Sequence, residues 1–252
     1  MRSMTIGWIV FVLVFGSAGV AMFARRVLPE SHLSADSKDV VRVSVALVSS
    51  MVALVLSLLI ASAKSGFDMR RSHLAELSAD VIVLDHDLAR YGPETRQART
   101  LLQQSVAVTV QRFWPDTGAP STVINPTAYS IDPLYSTVEG LSPQSDAQRT
   151  LRDQALVTVR NVERTRALLF GNLGVSIPTP FLTILVVWLC FIFASFGLFA
   201  PRNATVTLVL GICALSVSGA IFLILELDRP IGGLLQVSDA PLRAALIQLG
   251  GS

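Results

Sequence analysis

Residues 43–63 read VSVALVSSMVALVLSLLIASA, an uncharged apolar stretch that lies between Arg42 and Lys64. The hydrocarbon core of a bilayer is about 30 Å thick, and about 20 apolar residues cross it as a helix. Three further stretches have similar length and character: 5–24, 181–200 and 204–225. Because hydrocarbon offers the backbone no hydrogen-bond partner, each of them must be helical. The sequence therefore predicts an all-α membrane protein with four transmembrane helices.

The composition supports this fold class. Of the 252 residues, 52% are hydrophobic and 15% are charged, against about 25% charged in an ordinary globular protein. The mean hydropathy is +0.58, which excludes a disordered chain. The net charge of +2 is too small to indicate a polyanionic partner, so no nucleic acid is expected. Cys190 and Cys213 lie inside apolar runs, so neither a disulfide framework nor a zinc site is indicated.

A polar insert, residues 64–177, separates the second and third predicted spans. Apolar residues recur in it at steps of three and four, which predicts helices at about 68–91, 93–114 and 146–172. Gly92 is expected to end the first of these helices and Pro93 to begin the second, which makes the pair a helical hairpin. Residues 115–143 contain five prolines, and an irregular loop is predicted there.

These boundaries divide the chain into four parts. They are a first membrane hairpin (1–63), an inserted helical domain (64–177), a second membrane hairpin (178–225) and a tail (226–252). In the tail, Leu242, Leu246 and Leu249 recur at helical spacing, which predicts a helix that lies in the membrane interface.

Basic residues near the ends of the spans predict the orientation. Nine lie on the side of the insert and of both termini: Arg2, Lys64, Arg70, Arg71, Arg160, Arg164, Arg166, Arg229 and Arg243. Five lie on the other side: Arg25, Arg26, Lys38, Arg42 and Arg202. This excess predicts that both termini and the helical insert are cytoplasmic, in a protein of the bacterial inner membrane.

The sequence offers little for catalysis. It contains no nucleophile elbow, no phosphate-binding glycine loop and no paired-cysteine metal motif, so neither an enzyme nor a cofactor is predicted. His73, Glu76 and Asp80 are a weak metal candidate, because their spacing places them on one helix face. A solvated polar edge of an amphipathic helix is the favoured interpretation of the same three residues.

The second predicted span carries a stripe of small and polar residues. Ser50, Ala53, Ser57 and Ala61 lie on one face, which ends in Lys64. Such stripes commonly let membrane helices pack closely. The alternative hypothesis is a water-lined path, in which Ser50, Ala53, Ser57 and Lys64 line a pore and the serine hydroxyls replace part of an ion's hydration shell. Lys64 at its inner mouth would attract anions.

Two further clusters have alternative interpretations. Arg160, Arg164 and Arg166 precede the third span, where they are expected to share one helix side and to bind anionic lipid headgroups or to line a cytoplasmic vestibule. At the end of the fourth span a structural hinge is favoured over a gate, and its residues are Glu226, Asp228, Arg229, Pro230 and Gly232.

Several motifs resemble those of a known family. They are Ala63-Lys64-Ser65 with Phe67; Leu84-Asp85, Leu88, Tyr91-Gly92-Pro93-Glu94 and Arg99; Leu141-Ser142-Pro143 with Ala147 and Gln148; Trp188 with Phe196-Gly197-Leu198-Phe199-Ala200-Pro201-Arg202-Asn203; Ala214-Leu215-Ser216; and Glu226-Leu227-Asp228-Arg229-Pro230 with Gly232. In these residues the chain resembles the bestrophin-like domain family of bacterial integral membrane proteins. The resemblance covers the chain from the second span nearly to the C-terminus.

The resemblance implies kinship with bestrophins, which are oligomeric anion channels with four main spans and cytoplasmic helices in each subunit. It carries over no channel residue, because Leu54-Val55-Leu56-Ser57-Leu58-Leu59 lacks the aromatic neck and the proline of the bestrophin constriction. The resulting hypothesis is a homo-oligomeric ion channel in the lipid bilayer that is permeable to anions such as chloride. The alternative is a non-conducting membrane scaffold whose cytoplasmic helices dock a partner.

Overall fold

Helices form all the regular secondary structure in the part of the chain that the structure describes. The structure is a computed structural model, and it describes residues 2–25, 27, 35–114, 132–171, 179–201, 203–228 and 235–250. The helices are α1 (Arg2–Ala24), α2 (Ala35–Tyr91), α3 (Arg96–Phe113), α4 (Asp132–Glu139), α5 (Asp146–Gly171), α6 (Thr179–Phe199), α7 (Ala204–Leu227) and α8 (Ala240–Gly250), and a 3₁₀ turn at Pro93–Thr95 separates α2 from α3.

Four of these helices are long and apolar enough to cross a membrane: α1, α2, α6 and α7. They correspond to the four stretches that the sequence predicts as spans, and only α6 ends one residue before the predicted boundary, at Phe199. The second span differs in one respect, because the sequence predicts a helix at 43–63 and a separate one from about residue 68. The structure has one continuous helix of 57 residues. Its sequence contains no proline and a single glycine, Gly66, and one internal glycine costs a helix only about 1 kcal/mol.

The chain forms two compact units. The first comprises Met1–Gly66 and Val175–Asp228, and the second comprises Phe67–Gly174 and Arg229–Ser252. In the first unit α1 packs against both α6 and α7. A hydrogen bond joins α1 and α6, in which Ser17 Oγ donates to the carbonyl of Cys190 over 3.1 Å. The inner faces of these helices carry buried aliphatic residues, among them Val14, Leu185 and Ile221.

The second unit has a continuous aliphatic core. The C-terminal part of α2 contributes Leu74, Val81 and Leu88 among others, α3 contributes Leu102 among others, and α4, α5 and α8 supply further side chains. Each of these helices buries one face, as residues at steps of three and four must when they pack around a shared core.

The segment at 115–143 was predicted as an irregular loop, and this is wrong for its C-terminal part. Residues 132–139 form α4, which buries Leu134 and Val138. Asp132 and Pro133 begin this helix, and both suit a helix start, because the carboxylate complements the helix dipole and proline lacks the N–H that would go unused there. Residues 115–131 lie outside the described residues.

The tail helix α8 was predicted to lie in the membrane interface, and the structure places its leucine face elsewhere. Leu242 and Leu249 are buried in the core of the second unit, where α8 packs against α3. Trp114 Nε1 donates to the carbonyl of Val237 over 2.9 Å, which ties the segment before α8 to the end of α3. The stripe therefore completes a protein core.

The turn between α2 and α3 is closed by side-chain hydrogen bonds. Gly92 has a φ of 138°, a backbone conformation that residues other than glycine rarely adopt. Thr95 Oγ1 donates to the carbonyls of Leu88 (2.6 Å) and Gly92 (2.8 Å). Gln148 Nε2 on α5 donates to the carbonyl of Tyr91 over 3.0 Å. One turn thus joins three helices.

Asp85 on α2 and Arg99 on α3 form a bidentate ion pair. Arg99 Nε lies 2.7 Å from Asp85 Oδ1 and Arg99 Nη2 lies 3.0 Å from Oδ2. The Asp85 and Arg99 side chains are only 11% and 21% exposed, so little solvent screens the pair. The fork geometry matches a carboxylate in a way that a lysine ammonium does not.

We expect Asp85→Asn to lower the free energy of unfolding by about 1.5–3 kcal/mol, the usual contribution of a hydrogen bond to a charged group. Arg99→Lys should cost less, because it keeps the charge and loses only the fork. Thermal unfolding of the purified, detergent-solubilised chain measures both effects. The matched control is Arg149→Lys, in an exposed pair with Asp146, where the change should be well under 1 kcal/mol. Equal effects of Asp85→Asn and Arg149→Lys would contradict a structural role for the buried pair.

Candidate functional site

The serine stripe of α2 comprises Ser50, Ala53, Ser57, Ala61 and Lys64, and all five residues are exposed in the single chain. The buried face of the same part of α2 carries Val45, Val52, Leu59 and Ala63. At 100° per residue, the centres of the two faces are roughly 140° apart around the helix. The serine stripe therefore points away from the core of the first unit and does not pack against α1, α6 or α7 of its own chain.

The serine hydroxyls bond within the helix. Ser50 Oγ donates to the carbonyl of Ala46 over 2.9 Å and Ser57 Oγ donates to that of Ala53 over 2.8 Å. Each hydroxyl proton is used by the backbone, so the oxygen presents lone pairs that can accept from water, and the hydroxyl must rotate before it can donate to an anion. The stripe thus offers polar atoms to its outer side with no formal charge until Lys64.

A second exposed face of α2, the leucine arc, consists of Leu47, Leu54 and Leu58. It lies roughly 80° around the helix from the serine stripe. Large aliphatic side chains on a membrane helix suit contact with lipid or with another helix. This part of α2 therefore has three distinct faces, of which one meets its own unit.

The three arginines predicted as one cluster are separated in α5. Arg160 is exposed, and its Nη2 donates to Tyr135 Oη over 2.7 Å, with the guanidinium carbon 5.4 Å from the ring centroid. This hydrogen bond raises the pKa of Arg160. Arg164 is exposed as well, whereas Arg166 is half-buried and its burial lowers its pKa.

The prediction that all three arginines share one helix side is therefore wrong for Arg166. Six residues separate it from Arg160, which places the two roughly 120° apart around the helix. Arg160 and Arg164 stay candidates for lipid headgroups or a vestibule, and Arg160 is already bonded to a tyrosine of α4.

The weak metal candidate does not assemble. His73 Nδ1 lies 3.3 Å from Glu76 Oε2, so these two side chains pair with each other. No group of three histidine, cysteine or acidic side chains comes close enough to hold a metal ion anywhere in the described ranges, and this includes Asp80. The alternative interpretation, a solvated polar edge of α2, fits the exposure of Glu76.

The predicted hinge falls partly outside the described residues, which stop at Asp228 and resume at residue 235. Arg229, Pro230 and Gly232 are among the residues that are not described. Glu226 and Asp228 are buried at the end of α7, only 4% and 6% exposed, and the Asp228 N–H donates to the carbonyl of Ile224 over 3.1 Å. Helical hydrogen bonding thus continues to Asp228, the last residue described before the gap, and the hinge stays a prediction.

In the sequence, Lys38 and Arg42 serve only as markers of orientation. In the structure both line a cavity of about 650 Å³ within the first unit. Their spacing of four residues places them on one side of α2, directly before an apolar run. That spacing is the one sequence signal that could have identified them as binding residues.

Taken together, the apolar helices and the surrounding helical packing define an all-helical membrane protein. The sequence model of the bestrophin-like domain matches residues 10–242, and the chain therefore belongs to the bestrophin-like domain family. No curated protein matches the sequence.

Solved structures of low sequence identity share the fold. Two are crystal structures of point variants of a bacterial bestrophin homologue from Klebsiella pneumoniae, both 16% identical, with TM-scores of 0.67 and 0.68; each comparison covers 96% of this chain and 97% of the other. A third, described as a membrane protein, is 17% identical with a TM-score of 0.64 over 96% of this chain and 94% of its own. At these identities the likeness establishes the fold alone.

Proposed function

We propose that the chain forms a homo-oligomeric, anion-permeable channel in the bacterial inner membrane, in which α2 of every copy lines the path with its serine stripe. One observation carries the proposal: the stripe is exposed on the side of α2 that faces away from its own unit. A face of small and hydroxyl-bearing residues that its own subunit leaves uncovered suits a common axis between copies.

The oligomer follows from the number of candidate spans. Four helices in one copy are too few to enclose an aqueous path, so several copies must share it. The leucine arc supports this arrangement, because a face beside the pore-lining face is the one that meets the neighbouring subunit or lipid in a ring. In such a ring the serine stripe of α2 faces the pore, and the leucine arc faces the neighbouring subunit or lipid.

Selectivity for anions rests on Lys64 and on the family. With both termini and the domain at 64–177 in the cytoplasm, Lys64 stands at the inner mouth and raises the local concentration of anions. The serine hydroxyls can solvate a passing anion when they rotate away from the carbonyls of Ala46 and Ala53. Membership of the bestrophin-like family favours the same class of ion.

Chloride flux from liposomes that contain the purified full-length protein tests the proposal. We expect flux well above that of protein-free liposomes. Lys64→Glu should lower the chloride-to-potassium permeability ratio about fivefold or more, the effect of about 1 kcal/mol of electrostatic energy at an aqueous mouth, and Lys64→Gln should lie between it and wild type. Arg149→Glu, an exposed charge change on α5, is the matched control and should leave the ratio unchanged.

The same experiment distinguishes the alternative function. Flux equal to that of protein-free liposomes, from protein that is folded and oligomeric, would reject the channel and support a non-conducting scaffold. Exposed aliphatic residues on the second unit, among them Val83, Val157 and Ile247, are the feature that favours a docking role, because apolar surface in water is commonly a contact site.

A further inference from the structure

The first unit contains a cavity whose wall on α2 changes from charged to apolar, and whose walls on two further helices are mainly apolar. Lys38 and Arg42 of α2 lie at one end, and Val45 follows one turn further in. On α6 the wall runs from Ala200 back to Phe196 and Ser195, and on α7 from Thr205 forward to Leu210. Since α6 ends at Phe199 and α7 begins at Ala204, the charged rim coincides with the helix ends and the apolar interior with the spans.

The rim carries excess positive charge. Lys38 and Arg42 line the cavity together with one carboxylate, Asp39. Arg25 is a third cation at this end, because its Nη1 donates to the carbonyl of Ala200 over 2.8 Å and Ala200 is itself part of the wall. Among the residues that the structure describes at this end, three cations against one carboxylate suit an anionic group at the level where a span ends.

The interior suits a hydrocarbon chain. It is lined by aliphatic and aromatic side chains, and its one hydroxyl deep in the wall, that of Ser195, already donates to the carbonyl of Phe191 over 2.9 Å. The volume of about 650 Å³ falls within the range of sites that hold small molecules, about 300–1,000 Å³. A fully polar ligand would find no partners in this part of the cavity.

We propose that this cavity binds an anionic phospholipid, with the phosphate between Lys38 and Arg42 and one acyl chain beside Phe196 and Leu210. The change from charged residues at the start of α2 to apolar residues further in, with apolar walls on α6 and α7, matches the order of headgroup and acyl chain in a lipid. Each basic side chain near a membrane surface contributes about a fivefold factor to the affinity for anionic lipid. The site does not depend on conduction, and it would remain if the proposed channel carried no current.

Native mass spectrometry of the full chain in detergent, titrated with phosphatidylglycerol, tests the site. We expect the double variant Lys38→Gln/Arg42→Gln to weaken phosphatidylglycerol binding about 30-fold and Arg42→Gln alone about fivefold. Val209→Trp, which fills the cavity from α7, should abolish it. Arg71→Gln is the matched control, since Arg71 is an exposed cation of α2 outside the cavity, and it should bind as wild type does. If the double variant is not monodisperse, Arg42→Gln and Val209→Trp decide the matter.

Three results would overturn the proposal. Equal binding of phosphatidylcholine and phosphatidylglycerol would show that the rim does not select an anionic headgroup. Equal protection of the protein against heat by inorganic phosphate would assign the rim to a free anion. A change in the number of copies in the Val209→Trp complex, with unchanged lipid binding, would assign the surface to a second copy of the chain.

Discussion

Gly197→Ala is expected to lower the thermal stability of the protein more than alanine at any other described glycine of the first unit. A Cβ atom at this position would overlap the carbonyl oxygen of Ala18 and would lie 2.9 Å from its carbonyl carbon. Both atoms belong to the backbone of α1, so no side-chain rotation can relieve the overlap, and α1 and α6 must move apart. Overpacking of this kind costs about 1–3 kcal/mol and sometimes more, and larger residues should prevent assembly of the unit.

Two other glycines in membrane helices provide matched controls. A Cβ atom at Gly16 or Gly219 meets nothing within 4 Å. Because alanine is favoured over glycine by about 1 kcal/mol inside a helix, Gly16→Ala and Gly219→Ala should leave the melting temperature unchanged or raise it. The measurement is thermal unfolding in detergent, followed by size-exclusion chromatography. Wild-type stability of Gly197→Ala would contradict the close contact between α1 and α6.

This contact shows what the sequence could and could not predict in the membrane unit. Residue composition identified the four apolar helices, because span length and hydropathy are local properties. The glycine that touches α1 is Gly197 of α6, one of several glycines in the apolar helices. Which small residue meets which backbone depends on how the helices are rotated, and a single sequence does not contain that information.

The motifs that relate the chain to its family have mainly structural roles. Asp85 and Arg99 form the buried ion pair, and Gln148 bonds to Tyr91 at the turn that contains Gly92. These residues come together because three helices meet there. These residues identify the family because they hold its helices together. This explains why a specific resemblance gives so little information about what the protein binds or transports.

The misplaced elements have a common physical cause. The apolar spacing of α8 is visible in the sequence, and that of α4 could have been recognised there. A periodic pattern shows that one face of a helix is buried, but it does not show whether lipid or protein covers that face. Lipid and a protein core both satisfy the leucines of α8, and Leu242 is buried in the core. Arg166 was grouped with Arg160 because the two are close in sequence. Whether they share a helix side depends instead on the angle between them around the helix.

Ser57→Cys, in a chain with Cys190→Ala and Cys213→Ala, is expected to make ion flux sensitive to thiol reagents. The thiolate is the reactive form, and it exists where water reaches the sulfur. If the serine stripe lines an aqueous path, a charged methanethiosulfonate reagent will modify Cys at position 57 and obstruct the path. We expect a loss of most of the flux, because every copy contributes one modified side chain.

Leu58→Cys in the same background is the matched control. Leu58 is exposed in the single chain, as Ser57 is, but it belongs to the leucine arc. Contact with lipid or with a neighbouring subunit would keep its thiol away from water, so the same reagent should react slowly and leave the flux intact. The comparison separates water access from exposure in an isolated subunit.

The rate at which this reagent modifies the two variants in flux-competent liposomes tests the central claim most directly. A path lined by the serine stripe predicts modification at position 57 at least tenfold faster than at position 58, with parallel loss of chloride flux. Equal rates at the two positions, or full modification at position 57 with undiminished flux, would show that the stripe does not face the conducting path.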